Sequence, residues 1–224
     1  MKLITFQSLK AFQELKENKV LKMPSQVNDL INLKKYGVPY DFMVERMKQK
    51  IPNKEGIKYP LWAWEKCGKL IAPRKRKNVL NKEQKPKVKI TFSKPDNQVL
   101  VSDYMAYSFI LSCHIVPKTK KEYVQFLKKI ETLGVSLDEL KAFVRNEKTR
   151  LKVKQLFPEI QSTWTRIFSP KSNVHQACIW DIKWEEVEKV ELCDDPHFLY
   201  NSMNPLRVDG TRPDWKKKYL NFIP

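Results

Sequence analysis

Glycine is scarce in this 224-residue chain, with five residues in all. A phosphate-cradling loop needs several glycines close together so that its backbone can approach the anion, so neither a P-loop nor a dinucleotide-binding turn is encoded here. Long apolar runs are missing as well. No stretch approaches the roughly 18 to 20 residues of a membrane span, and the opening segment MKLITFQSLKAFQELKENK is broken by polar residues too early for a signal peptide. The four cysteines (Cys67, Cys113, Cys178, Cys193) are scattered and build no disulfide framework. These absences predict a soluble, cytoplasmic protein with reduced thiols.

Histidine is equally sparse. The three histidines come without a G-x-S-x-G elbow, which leaves no hydrolytic triad to read. His175-x-x-Cys178 and Cys193-x-x-x-His197 have the look of zinc half-sites. On a strand, however, His175 and Cys178 point to opposite faces, so no metal site is expected. Asp194 and Asp195 are neighbours in sequence, which is not the separation that paired-acid chemistry requires.

What the chain has in excess is positive charge: 43 Lys and Arg against 25 Asp and Glu, a net +18. A surplus of that size attracts polyanions, nucleic acid first and an anionic membrane surface second. It is concentrated between Lys66 and Lys89, where ten cations face one acid, Glu83, in a segment with few apolar residues. Lys69, Arg74, Lys75, Arg76 and Lys77 are therefore the candidate phosphate contacts. Just before them stands YPLWAW (59–64), whose alternation sets Trp62 and Trp64 on one side of a strand, either packed on the sheet or lining a pocket.

Periodicity predicts an α+β fold: one domain over 1–224 with a mainly antiparallel sheet, several helices, a basic loop at about 66–89 and an irregular tail at about 195–224. KLITFQ reads as a strand and the segment after it as a helix capped by Ser8, with Leu9, Phe12 and Leu15 on its apolar face. A second helix is expected to start after Pro39, carrying Tyr40, Met43, Val44 and Met47. KVKITFS (87–93) alternates strictly, and Ser102 or Asp103 can cap the helix that follows. Thr119 with Glu122 and Ser136 with Glu139 form two capping boxes, predicting a helical hairpin from about 119 to 157. VHQACIWDI (174–182) reads as a strand with Gln176, Cys178, Trp180 and Ile182 on one side. Gln7, Asp103 and Gln176 could also join one buried hydrogen-bond network, in which Asp103 serves as a cap.

The order ITFQ, YPLWAW, VLVSDY and HQACIW resembles an uncharacterised bacterial family, a domain of unknown function with T-x-Q, Y-P-x-W-A-W and Q-A-x-x-W motifs, over residues 3 to 192. That resemblance implies no activity. A weaker resemblance is to the ADP-ribosyltransferase fold, which also opens with a strand bearing a polar residue and then a helix. It would imply NAD as cofactor, with Gln7 and Tyr59 or Trp62 around the nicotinamide. Gln176 would then stand where that fold usually carries a glutamate, a substitution that removes the ionisable group. Three functions follow as expectations: nucleic-acid binding, an NAD- or nucleotide-using transferase with a pocket drawn from Gln7, Tyr59, Trp62, Trp64, Gln176 and Trp180, and a non-catalytic domain with a protein partner.

Overall fold

A computed structural model describes residues 1–23, 33–53, 57–66, 87–144 and 150–193. The α+β expectation holds: among the described residues a six-stranded sheet, built by antiparallel pairing wherever its register is defined, accompanies six helices. The described residues fall into two compact units.

The first unit takes in residues 1–23, the described part of 50–101, and 173–193. β1 (Lys2–Ser8) runs into α1 (Leu9–Asn18), and the Ser8 hydroxyl accepts the Ala11 N–H at 3.1 Å as the helix cap. β2 (Val20–Lys22), β3 (Leu61–Lys66), β4 (Lys87–Ser93), β5 (Leu100–Asp103), β6 (His175–Ile179), β7 (Asp181–Lys183) and β8 (Val187–Cys193) complete it. The large sheet has the order β5-β6-β3-β1-β4-β8, and β2 pairs with β7 in a second, two-stranded sheet. Alternation in β4 sends Val88, Ile90 and Phe92 into a core shared with Leu3, Leu15, Leu61, Ala177, Ile179 and Ile182. Burying a leucine such as Leu15 completely contributes about 1.5–3 kcal/mol.

Two sequence expectations change here. Leu9, predicted on the apolar face of α1, is 40% exposed, because the helix turns its Leu15 side to the sheet and Leu9 lies in the first turn beyond it. Ile182 does not share a side with Gln176 and Cys178 but joins the core with Ala177 and Ile179. The strand bends at Trp180, which shifts the parity by one and hands the chain from the large sheet to the small one.

The second unit is helical. α2 (Leu33–Lys50) starts seven residues ahead of the predicted point and holds Pro39 inside it. A proline there removes one N–H and crowds the preceding turn, yet burial of Phe42, Met43, Val44 and Met47 keeps the helix going. α3 (Tyr104–Ile110) is capped by Asp103, whose carboxylate accepts the Ala106 N–H at 3.0 Å. The predicted hairpin resolves into three helices, α4 (Lys120–Thr132), α5 (Leu137–Val144) and α6 (Leu151–Ser162). α4 ends at Gly134, whose φ of 62° is the left-handed conformation that favours glycine. Trp164 fills the centre of this unit, edge-on to Phe42 at 5.4 Å and to Phe157 at 5.5 Å, with its Nε1 donating to the His114 carbonyl at 2.9 Å.

Candidate functional site

Aromatic and branched side chains favour a pleated strand, and β3 with its two tryptophans is flanked on both sides. Ile4 of β1 stands opposite Trp64, while Trp62 pairs with Cys178 and Trp64 with Gln176 across β6. Alternation then sets Ile4, Trp62, Trp64, Gln176 and Cys178 on one face of the sheet, away from the core. The two tryptophans are half-buried there. Gln176 is 4% exposed, and its Nε2 meets no hydrogen-bond acceptor among the described residues.

The sheet does not bring Gln7 and Gln176 together. Gln7 stands opposite Val88 and so belongs to the core face. There its Nε2 donates to Thr5 Oγ1 at 2.8 Å, and Thr5 Oγ1 donates to the Trp62 carbonyl at 2.9 Å. Asp103 has a third set of partners, so the network expected from Gln7, Asp103 and Gln176 is not formed. Tyr59 is buried beneath the Lys58 ammonium, 5.1 Å from its ring centre. Trp180 is buried too, its indole N–H donating to the Ile51 carbonyl at 3.1 Å.

Two charged clusters left no trace in the sequence, because their members lie roughly 90 to 110 positions apart. The register of β3 shifts between Trp64 and Lys66, which makes Glu65 the extra residue of a bulge. Its carboxylate lies 2.7 Å from Nδ1 of His175. His175, read in the sequence as half of a metal motif, therefore turns to an acid. The second cluster surrounds Lys94, whose side chain is 2% exposed and whose ammonium donates to Asp181 at 2.6 Å and to both oxygens of Glu186 at 2.7 and 2.8 Å. Both described thiols are deep: burial pushes Cys113 up to about 12 and Cys178 well above its ordinary value, which leaves neither a ready nucleophile.

Lys69, Arg74, Lys75, Arg76 and Lys77 lie outside the described residues. The ends of their run are strand: Lys66 closes β3, and Lys87 to Lys89 opens β4, where Lys89 pairs with Glu191 at 2.9 Å. A family model for a domain of unknown function, DUF3841, matches residues 2–188. The chain belongs to that family.

Membership in DUF3841 bears out the expected family, and the T-x-Q, Y-P-x-W-A-W and Q-A-x-x-W segments all lie within the matched span. No curated protein and no solved structure matches the chain. No helix among the described residues of this DUF3841 chain is long and apolar enough to cross a membrane.

Proposed function

We propose that the protein binds nucleic acid through its basic surface, with Lys69, Arg74, Lys75, Arg76 and Lys77 contacting phosphates. The observation that supports this reading is how the charges pair. Carboxylates are outnumbered 43 to 25, and many of those described are already engaged. Glu122 pairs with Arg166, Glu139 with Arg150, Glu159 with Lys129, Glu188 with Lys2, and Asp181 and Glu186 with Lys94. Each such pair is close to neutral and leaves the net +18 untouched, so a polyanion meets the cations that these acids do not engage. The run from 66 to 89 has a single acid to offset it. Each phosphate neutralised by such a cation releases a bound counter-ion, and affinity then falls steeply with salt.

One observation supports a second reading, the NAD- or nucleotide-using transferase: the buried Gln176 amide, whose Nε2 meets no acceptor among the described residues, on the same face as Trp62 and Trp64. A buried donor left unmade costs about 1–3 kcal/mol, and a polar ligand group would relieve it. Gln7, on the other face, has no place in such a site.

A fluorescence-anisotropy salt titration against short single- and double-stranded DNA and RNA, with and without NAD, tests both. Changing Arg74, Lys75, Arg76 and Lys77 to glutamine is expected to flatten the slope of log K against log salt by about 0.9 for each duplex phosphate that the variant no longer neutralises. An unchanged slope, or no binding by the unaltered protein at physiological salt, refutes the first reading. Saturable NAD binding that disappears in Gln176→Ala supports the second, and no binding at about 1 mM NAD, the upper end of ordinary Michaelis constants, removes it.

A further inference from the structure

We propose that the solvent face of α4 is a second nucleic-acid contact, one that grips phosphates and ignores sequence. This rests on the nucleic-acid reading above but uses different residues. α4 turns Tyr123, Phe126 and Ile130 inward, so helical spacing directs Lys121, Val124, Gln125 and Lys128 to the opposite side. All four are exposed, as is Lys120 beside them. Lys121 and Lys128 stand seven residues and about 10 Å apart along the axis, on nearly the same line.

Most of the acids around this face are held in ion pairs; the exception among the described residues, Glu131, is exposed three residues beyond Lys128. Residues 118–144 and 150–171 carry eleven Lys and Arg against five Asp and Glu. Four of the five are in ion pairs: Glu122 with Arg166, Asp138 with Lys141, Glu139 with Arg150 and Glu159 with Lys129. Glu122, the acid of α4's first turn, also accepts the Lys118 N–H at 2.5 Å, which turns it from the exposed crest toward the loop before the helix. Among the described residues Lys120, Lys121 and Lys128 form no ion pair, and no other interaction engages their ammonium groups.

The chemistry of the face decides its partner. Its aromatics are buried, so it has no ring on which a base could stack, and binding is confined to the sugar-phosphate backbone. Such contacts position a protein and carry no sequence information. An anionic membrane is disfavoured because the crest has one apolar residue, Val124, where an interfacial helix needs a continuous apolar stripe to bury among the acyl chains.

The test compares three proteins in the same salt titration on random-sequence duplex DNA: the full chain, the full chain with Lys120→Gln, Lys121→Gln and Lys128→Gln, and the full chain with the 74–77 run neutralised. Glutamine has nearly the helix propensity of lysine, so thermal melts of the α4 variant are expected to match the parent. Its slope is expected to flatten by about 2 to 3, equally on unrelated sequences. An α4 variant with the parent's slope, while the 74–77 variant loses binding, overturns this proposal and leaves the loop reading standing. The reverse pattern supports α4 and overturns the loop. No binding by the parent overturns both, and binding to phosphatidylserine vesicles in preference to DNA overturns the assignment of the α4 partner.

Discussion

Removing the carboxylate of Asp103 tests whether this residue is a structural fastener. It is 1% exposed. Oδ1 accepts the Ala106 N–H at 3.0 Å and the Ser172 hydroxyl at 2.9 Å, while Oδ2 accepts the N–H groups of Lys171 at 2.9 Å and Ser172 at 2.8 Å. An ionised carboxylate offers about four acceptor positions, and all are taken internally. In Asp103→Ala the missing cap costs about 1 kcal/mol. The buried Ser172 N–H loses the Oδ2 that accepts it, which costs about 1–3 more. Lys171 lies at the surface, so its N–H recovers water at a smaller loss. The sum is about 2–5 kcal/mol out of the 5–15 of an ordinary domain. Asp103→Asn keeps Oδ1 but aims an NH2 at two N–H donors, for an expected loss of about 2 kcal/mol. Urea denaturation followed by circular dichroism should show the midpoint falling in that order with the slope unchanged. If the asparagine variant lies within about 0.5 kcal/mol of the parent, the four-bond account of Asp103 is wrong.

Lys94→Met should destabilise by about 3–5 kcal/mol in the same assay, because it leaves Asp181 and Glu186 crowded without their cation; a loss under about 1 kcal/mol would mean that water already screens the cluster. Glu139 is held at about 2, below its ordinary 4.5, chiefly by the Arg150 guanidinium and then by the Ser136 N–H. Since the folded value is the depressed one, its contribution is complete above about pH 4.5 and is lost as pH falls toward 2. Carboxyl-carbon NMR should find its midpoint near 2, and Arg150→Gln should return it toward the ordinary range; a midpoint that ignores Arg150 would refute the pairing.

Local chemistry was readable from the sequence wherever the partners were near neighbours. Ser8, Asp103, Thr119 and Ser136 announce their caps because each bonds an N–H three residues on. The alternation of KVKITFS announces β4 because burial on one face leaves a period of two. Pro39 misled because a helix start is proline's usual place, and only buried contacts on the same helix reveal that the helix runs through it. The site was half legible. Trp62 and Trp64 declare their shared face by spacing, but whether Gln7 or Gln176 joins them depends on register across three strands, which no local pattern encodes. The Glu65–His175 and Lys94 clusters are products of that same pairing.

The strand order also governs when the sheet can exist at all. β3, β1 and β4 are neighbours at its middle, while the strands that border them, β6 and β8, are drawn from residues 175–193. Glu65 and His175 are 110 positions apart. At a ribosomal pace of about 5–20 residues per second, β3 therefore waits roughly 5 to 20 seconds for its partner. In that interval the nascent three-stranded ribbon has open edges on both sides, one of them lined by tryptophan, so a chaperone has its clearest target while the middle of the chain is being made.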